Sequence, residues 1–422
     1  MNLKLFVLAA CLLAGSAYAQ GNQDSSLNDF GTSSNMDDTE LSRADTSLQS
    51  LIDLVSDGAS VELLPDTYVL SQPISINKNI TLVGSPFVHI DGSGTSQILN
   101  IDNPKANVTI ENVLFTHGNG SDGGAIANQA RSLTIKNCSF YDNMANNGSG
   151  VYQKSGNLKI VNSTFKDNKA THWGTAVYCK GGDVQLENST FDHNFGLGVI
   201  IIRNEEPDQA NVLIKGCSVS NNGLPVVGCF DNCVALFCLY TNTLIDHCII
   251  NNNNFTNGEP PAGMIADILA IGGSKAVLND TQIESNDGFL MQPLLLYGSE
   301  VQMNRCNISE NHARGIGLGE DFPYEMGCIE IDSLANVSMN DVIIEGNTAD
   351  GGEFCIIKNE GNLTLNKGTV IVKNSARQYS ALFNTNTGVL NIGKGVVIAD
   401  NHDDLQPSQP VYNEGILNQD VS

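Results

Sequence analysis

Leu133-Thr-Ile-Lys-Asn-Cys-Ser-Phe-Tyr-Asp-Asn143 returns as Leu158-Lys-Ile-Val-Asn-Ser-Thr-Phe-Lys-Asp-Asn168 and again as Val184-Gln-Leu-Glu-Asn-Ser-Thr-Phe-Asp-His-Asn194. Further copies begin at Val108, Val212, Thr243, Ala276, Val301, Val337, Leu363 and Leu390, their starts 25 to 36 residues apart. A period of this size marks stacked repeats, so the 422 residues are read as one solenoid even though length alone suggests two or three domains. The first position and the one two later are aliphatic in nearly every copy, as in Leu133/Ile135 and Val301/Met303, which is the alternation of a half-buried strand. Seven residues after the start stand Phe115, Phe140, Phe165, Phe191, Val219, Ile250, Ile283, Ile308, Ile344, Val370 and Val397, an interior column. Ten after the start stand Asn143, Asn168, Asn194, Asn222, Asn253, Asn286, Asn311 and Asn347, with Asn119, Asn374 and Asn401 one place later. Asn accepts left-handed backbone geometry and its amides bond along a stack, so this column is expected to mark a turn repeated at every level.

Short strands stacked with a pitch of about 4.8 Å make a parallel β-helix, and a dozen or so rungs give a body on the order of 60 Å long. The fold class is therefore all-β, a single solenoid over residues 46–415. A leucine-rich repeat would need Leu-x-x-Leu-x-Leu, which is missing. Solenoid ends need covers. Residues 46–57, with Leu48, Leu51, Ile52 and Val55 at helical spacing and Gly58 after them, read as a short N-terminal capping helix. Residues 406–410 are expected to close the other end and 416–422 to form a tail, while Asn254–Gly263 and Gly315–Gly327 read as loops inserted between rungs.

Acidic residues outnumber basic ones 46 to 21, and a net charge of -25 argues against nucleic acid or an anionic membrane as partner. Residues 1–19 combine Lys4, an apolar run from Leu5 to Leu13 and Ala17-Tyr18-Ala19, the order of a secretory signal. Residues 20–45 are polar and aperiodic, a flexible leader. The apolar run is shorter than the roughly 20 residues that span a bilayer, so a secreted protein, extracellular or at the cell surface, with no transmembrane segment is expected. Sequons at Asn79, Asn107, Asn119, Asn137, Asn147, Asn162, Asn188, Asn254, Asn279, Asn307, Asn336 and Asn362 are glycosylation candidates, although the repeat itself generates many of them.

Loss of the signal removes Cys11 and leaves an even number of cysteines, which suits disulfides outside the cell. Cys138, Cys217, Cys248 and Cys306 share the column five residues after the repeat start. Cys217 and Cys248 fall on consecutive rungs, about 4.8 Å apart, so a bond between them is expected. Cys229, Cys233 and Cys238 between them offer a further pairing; no paired CxxC spacing supports a zinc site.

Nine residues after the start stand His117, Asp142, Asp167 and His193. Carboxyls one rung apart match the roughly 5 Å separation of a retaining glycosidase pair, and they also suit a divalent cation. Asp142, Asp167 and His193 are thus the catalytic candidates, set against the commoner role of such a column as a solvated turn face. Trp173, the only tryptophan, is either a sugar-stacking residue or part of a turn.

Residues 46–415 resemble the right-handed parallel β-helix superfamily that includes pectate-lyase-like proteins. Gly123-Gly-Ala-Ile126, Phe140-Tyr-Asp-Asn143, Phe165-Lys-Asp-Asn168 and, in degenerate form, Gly174-Thr-Ala-Val177 resemble the GGA[I/L/V] and FxxN tetrapeptides of chlamydial-type polymorphic outer membrane proteins. The resemblance implies a right-handed coil and a secreted or surface-exposed, adhesin-like role, although the autotransporter barrel of that family has no counterpart in this sequence. The Asn-Thr-Asp, Gly-His-Gly and Arg-Ile-Lys motifs of the superfamily's polygalacturonases are absent, and the Asp-Asp pairs Asp37-Asp38 and Asp403-Asp404 stand at the two ends. Pectate lyases need a basic residue beside a calcium-binding acidic cluster, and Arg131, Arg203 and Arg314 are the arginines near the inserted loops. The expected function is non-catalytic: an extended surface that binds extracellular glycan or protein, as an adhesin or matrix component, with no obligatory cofactor. The alternative is a polysaccharide lyase or hydrolase of the pectate-lyase-like fold using calcium; a third reading has the acidic surface bind calcium or mineral.

Overall fold

The computed structural model describes residues 43–205, 210–224, 232–255, 266–289, 294–314, 325–350, 353–403 and 410–421. The segments expected as a signal and, for the most part, as a leader, together with Asp37-Asp38, Cys229, most of both insertions and residues 406–409, expected to close the C-terminal end, lie outside the described residues.

Each full rung runs through four short strands. In the rung opening at Asn157 they are Asn157–Val161, Thr164–Lys166, Lys169–Trp173 and Val177–Cys179. Every one pairs in parallel with its equivalents above and below, so that Leu158 lies opposite both Leu133 and Val184. First and second strands merge into a 25-stranded sheet, third strands form an 11-stranded sheet, and fourth strands form a 13-stranded sheet. Strand alternation turns Leu158 and Ile160 inward and Lys159 outward, and the inward residues of all rungs join one continuous core. Phe115, Phe140, Phe165 and Phe191 stack inside it with ring centroids 5.0, 4.4 and 5.0 Å apart.

The corners depend on left-handed residues. Between first and second strands these include Asn137, Asn162, Asn188, His247, Asp280 and Arg305; between second and third they include His117, Asp142, Asp167 and His193, all with φ near +50°. The left-handed residue thus stands one place before the Asn column, which corrects the assignment of that geometry to the Asn themselves. The reason is directional: the turn at Asp167 swings the next side chain inward, and Asn168 is buried where only another polar group can satisfy it. Asn168 Oδ1 accepts from the backbone N–H and the Nδ2 of Asn143 at 3.1 and 3.0 Å, while Asn168 Nδ2 donates to Asn194 Oδ1 at 2.9 Å and to the Phe140 carbonyl at 2.9 Å. The same bonds continue through Asn374 to Asn401. Asn119 is not on this ladder; the backbone N–H of Gly118 takes its place, donating to Asn143 Oδ1 at 2.9 Å.

Two interior assignments also shift. Val397 is 46% exposed and Val370 is half-buried, because the last full repeats carry an extra turn residue around Gly368 and Gly395, and Ile371 and Ile398 point inward in their stead. At the corner entering the fourth strand, Gly174 has φ +69°, and a Cβ on Gly124 would lie 2.5 Å from the Met144 carbonyl oxygen. The Gly-rich tetrapeptides are therefore demanded by backbone crowding.

Helix α1 (Arg43–Leu54) covers the N-terminal end, with Leu48 and Ile52 buried against the first rungs. Lys78 Nζ donates to the carbonyls of Ile52, Asp53 and Val55 at 3.1, 3.2 and 3.0 Å, satisfying groups that a helix end leaves unpaired. Residues Ile416–Val421, expected as a tail, form a strand paired with Val389–Gly393 because Leu417 continues the inward alternation. Among the described residues no helix is long and apolar enough to cross a membrane.

Candidate functional site

Five consecutive first strands, Thr241–Asp246, Lys275–Asn279, Glu300–Asn304, Asn336–Asn340 and Asn362–Leu365, lie in register. Leu244, Val277, Gln302, Ser338 and Thr364 form one outward row, and Asn242, Lys275, Glu300, Asn336 and Asn362 form the next. Inward residues between the rows, such as Ala276 and Val301, anchor the strands in the core. The two rows line an open groove of about 710 Å3. Four rung steps make it roughly 19 Å long, the reach of several sugar residues in an extended chain. Lys275 Nζ and Glu300 Oε2 pair at 3.2 Å, so the formal charges of the lining cancel, and the remaining polar groups are amides and hydroxyls. On a molecule carrying -25, this is a locally neutral strip.

One edge of the groove ends in a charged corner. Asp246, His247 and Asp280 bring potential ligand atoms within 4.8 Å of one another, the one such group among the described residues. Cations of the chain already neutralise both carboxylates. Lys215 Nζ lies 3.1 Å from Asp246, and Arg305 grips Asp280 with Nε and Nη2 at 2.8 and 2.7 Å. The Arg305 hydrogen bond holds the Asp280 carboxyl below its ordinary range; at Asp246 desolvation pushes upward, and the bonds from His247 and Lys215 outweigh it. Calcium takes 6–8 oxygen ligands, and two carboxylates, an imidazole and two flanking cations do not fit it.

The sequence-derived candidates fall elsewhere. Asp142 and His193 are exposed and Asp167 half-buried, all three on the second corner and all in left-handed conformation. Asn, Asp and His accept this conformation more readily than other non-glycine residues, so His117, Asp142, Asp167 and His193 are accounted for by the turn. His193 Nδ1 pairs with Asp192 Oδ2 at 2.7 Å, and Asp403 Oδ2 accepts from the Tyr379 backbone N–H at 3.0 Å, which gives both side chains structural partners.

The Cys217–Cys248 bond is not formed in this structure; both are free thiols. Parallel neighbours carry Cβ vectors side by side at about the 4.8 Å strand spacing, longer than the roughly 3.8 Å Cβ separation of a disulfide. Their column holds Ser163, Ser189 and Thr281 on other rungs, and thiol and hydroxyl do the same work. Cys217 Sγ donates to the Lys215 carbonyl at 3.5 Å and Cys248 Sγ to the Asp246 carbonyl at 3.4 Å, as Ser163 Oγ donates to the Val161 carbonyl at 2.9 Å, and both thiols also reach a carbonyl of the preceding rung, Leu186 and Ile214, at 3.4 Å. Burial pushes the Cys138 thiol up to about 12, which leaves it protonated and unreactive.

Two features of the 13-stranded sheet of fourth strands carry no signal in the sequence. Tyr152, Tyr178 and Ile201 face outward in register and make a small apolar cluster of their own. Trp173 packs edge-on to Tyr178 at 5.9 Å with the Arg203 guanidinium 5.5 Å from its ring, so its indole is engaged within the protein. Further along, Lys358 Nζ lies 2.8 Å from Glu360 and 3.8 Å from Glu330 in an otherwise apolar row that includes Leu295 and Phe383. Burial raises the Glu330 carboxyl, and its two glutamates hold the Lys358 ammonium up against its own desolvation. Ile329-Glu330-Ile331 reads as ordinary strand alternation, which is why nothing in the sequence marked it.

A family model described as "right handed beta helix region" matches residues 75–223 and 175–406. No curated protein sequence matches the chain. Among solved structures it is similar to the catalytic unit of an α-1,3-glucanase from Streptomyces thermodiastaticus, at 12% identity over 86% of this chain and 67% of that one, with a TM-score of 0.40. It is similar also to an alginate lyase solved with a trisaccharide (9%, 89% and 85%, TM-score 0.32) and to the A-module of a mannuronan C-5 epimerase from Azotobacter vinelandii (15%, 89% and 95%, TM-score 0.35). These likenesses are of fold alone.

Proposed function

The chain belongs to the right-handed β-helix family, and on that premise we propose that it is a secreted, non-catalytic binding protein that holds a neutral glycan chain along the groove of its first sheet. The observation that carries this reading is the pair of in-register rows, whose amides and hydroxyls recur on four of the five rungs and whose single Lys and single Glu cancel. A polyhydroxylated chain offers hydrogen-bonding groups at a comparable interval, and its apolar ring faces suit Leu244 and Val277. A polyanion would have to approach through the field of a -25 molecule. The reading is non-catalytic because turn geometry accounts for Asp142, Asp167 and His193, and arginine and lysine partners account for Asp246 and Asp280.

The test presents unmodified protein with arrayed neutral and uronate oligosaccharides and analyses the recovered sugars for chain length. Retention of neutral oligosaccharides at unchanged length is expected; shortening or a new unsaturated end would convert the reading to that of a lyase or hydrolase.

A further inference from the structure

The twelve sequons are not equivalent in the folded chain. The amide nitrogens of Asn79, Asn107, Asn119, Asn137, Asn147 and Asn162 all donate hydrogen bonds to neighbouring groups. Asn279 and Asn307 are half-buried. Asn188, Asn254, Asn336 and Asn362 are exposed, with no hydrogen bond from Nδ2 among the described residues; Asn362 uses only its Oδ1, which accepts from Asn391 at 3.0 Å. Asn336 and Asn362 both line the groove, and so do their sequon hydroxyl residues Ser338 and Thr364. That coincidence has a structural source: N-x-S/T places the amide and the hydroxyl on the same face of a strand, and here that face is the groove.

We infer that the groove is a modification-gated site: an N-linked oligosaccharide attached at Asn336 or Asn362 lies along it and excludes a free glycan. The inference rests on the glycan-binding reading for what is excluded, but not for the attachment. In the attachment, a bond from Nδ2 to the anomeric carbon of a lipid-diphosphate-linked oligosaccharide replaces one Nδ2–H bond. The lipid diphosphate is the leaving group, and a proton is released. Asn336 lies directly opposite Asn362 on the adjacent strand, about 4.8 Å away, which leaves room for one branched sugar stem and not two. The groove's amides, hydroxyls and cancelled charge suit such a tethered neutral oligosaccharide as well as they suit a free one.

The full chain secreted from yeast or insect cells is compared with the same chain made in a bacterial cytoplasm. Glycopeptide mass spectrometry is expected to find Asn336 or Asn362 modified, never both on one molecule, and Asn336→Gln is expected to raise occupancy at Asn362. Binding of cellohexaose, laminarihexaose or mannohexaose by the secreted form is expected to be at least tenfold weaker than by the unmodified form. Secreted protein modified at neither position, protein modified at both at once, or measurable sugar binding that is equal in the two forms would overturn the inference. Modification at one position with no sugar binding by either form would uphold the attachment and remove the glycan-binding reading instead.

Discussion

Asn253 donates its side-chain amide to Oδ1 of Asn286 at 3.0 Å, and through its own Oδ1 it accepts from the Asn222 amide at 2.9 Å. The Val219 carbonyl takes the second Nδ2 proton at 2.8 Å, so every polar position on this buried side chain is used. Because the bonds run along the solenoid axis, each Asn ties three rungs together. Asn253→Ala would take the side-chain partner from the backbone N–H and Nδ2 of Asn222 and from the Val219 carbonyl, and would leave Asn286 Oδ1 only the backbone N–H of residue 253, a loss of about 3 kcal/mol. Urea unfolding should report it as a lower midpoint with an unchanged slope.

The phenylalanine stack tests packing apart from hydrogen bonding. Phe140 lies between Phe115 and Phe165 and is fully buried. Phe140→Ala is expected to cost about 4 kcal/mol. Phe140→Leu, which keeps most of the volume, should cost less than about 1.5 kcal/mol in the same unfolding experiment.

Turn geometry predicts how Asp142 responds to substitution. With φ at 52°, Asp142→Gly should leave stability unchanged or slightly raised, whereas Asp142→Val should cost about 1–2 kcal/mol because a β-branched side chain resists left-handed backbone. Sugar binding should be the same in Asp142→Asn and Asp167→Asn as in the parent protein; loss of a sugar-directed activity in either would restore the catalytic reading of this column.

The Asp280–Arg305 pair makes a prediction about pH. The carboxyl is held below its unfolded value, so its contribution is present above the ordinary Asp range near pH 3.9 and is lost as pH falls through the lowered folded value. Arg305→Ala should therefore unfold more easily than the parent at pH 5 to 7, and the two should converge as the solution is acidified through the lowered folded value. A stability gap that widens on acidification would contradict this assignment.

Alkylation in denaturant without reductant should label both Cys217 and Cys248, and Cys306→Ser should be tolerated because serine fills the same column at Ser163 and Ser189. Recovery of a Cys217–Cys248 linked peptide would reinstate the bond.

The rungs, the inward aliphatic pairs and the phenylalanine and asparagine columns were legible because each depends on a fixed interval along the chain. What was misread depends on direction. Asp142 and Asn143 are adjacent, and only the backbone shows that the first makes the turn and the second fills the interior. Cys217 and Cys248 are correctly placed on consecutive rungs, but their parallel Cβ vectors and carbonyl partners are invisible to spacing. The groove was hidden for a related reason. Gln302 and Ser338 are 36 residues apart in the chain yet directly opposed, because the insertion between them leaves the register intact.

The most direct test of the glycan-binding groove is titration calorimetry of unmodified protein with cellohexaose, laminarihexaose and mannohexaose, repeated on Gln302→Ala. The account predicts saturable binding of at least one hexasaccharide, weakened about tenfold, or ~1.4 kcal/mol, when the central amide of the outward row is removed. Absence of heat with all three sugars, or binding that Gln302→Ala leaves untouched, would contradict it.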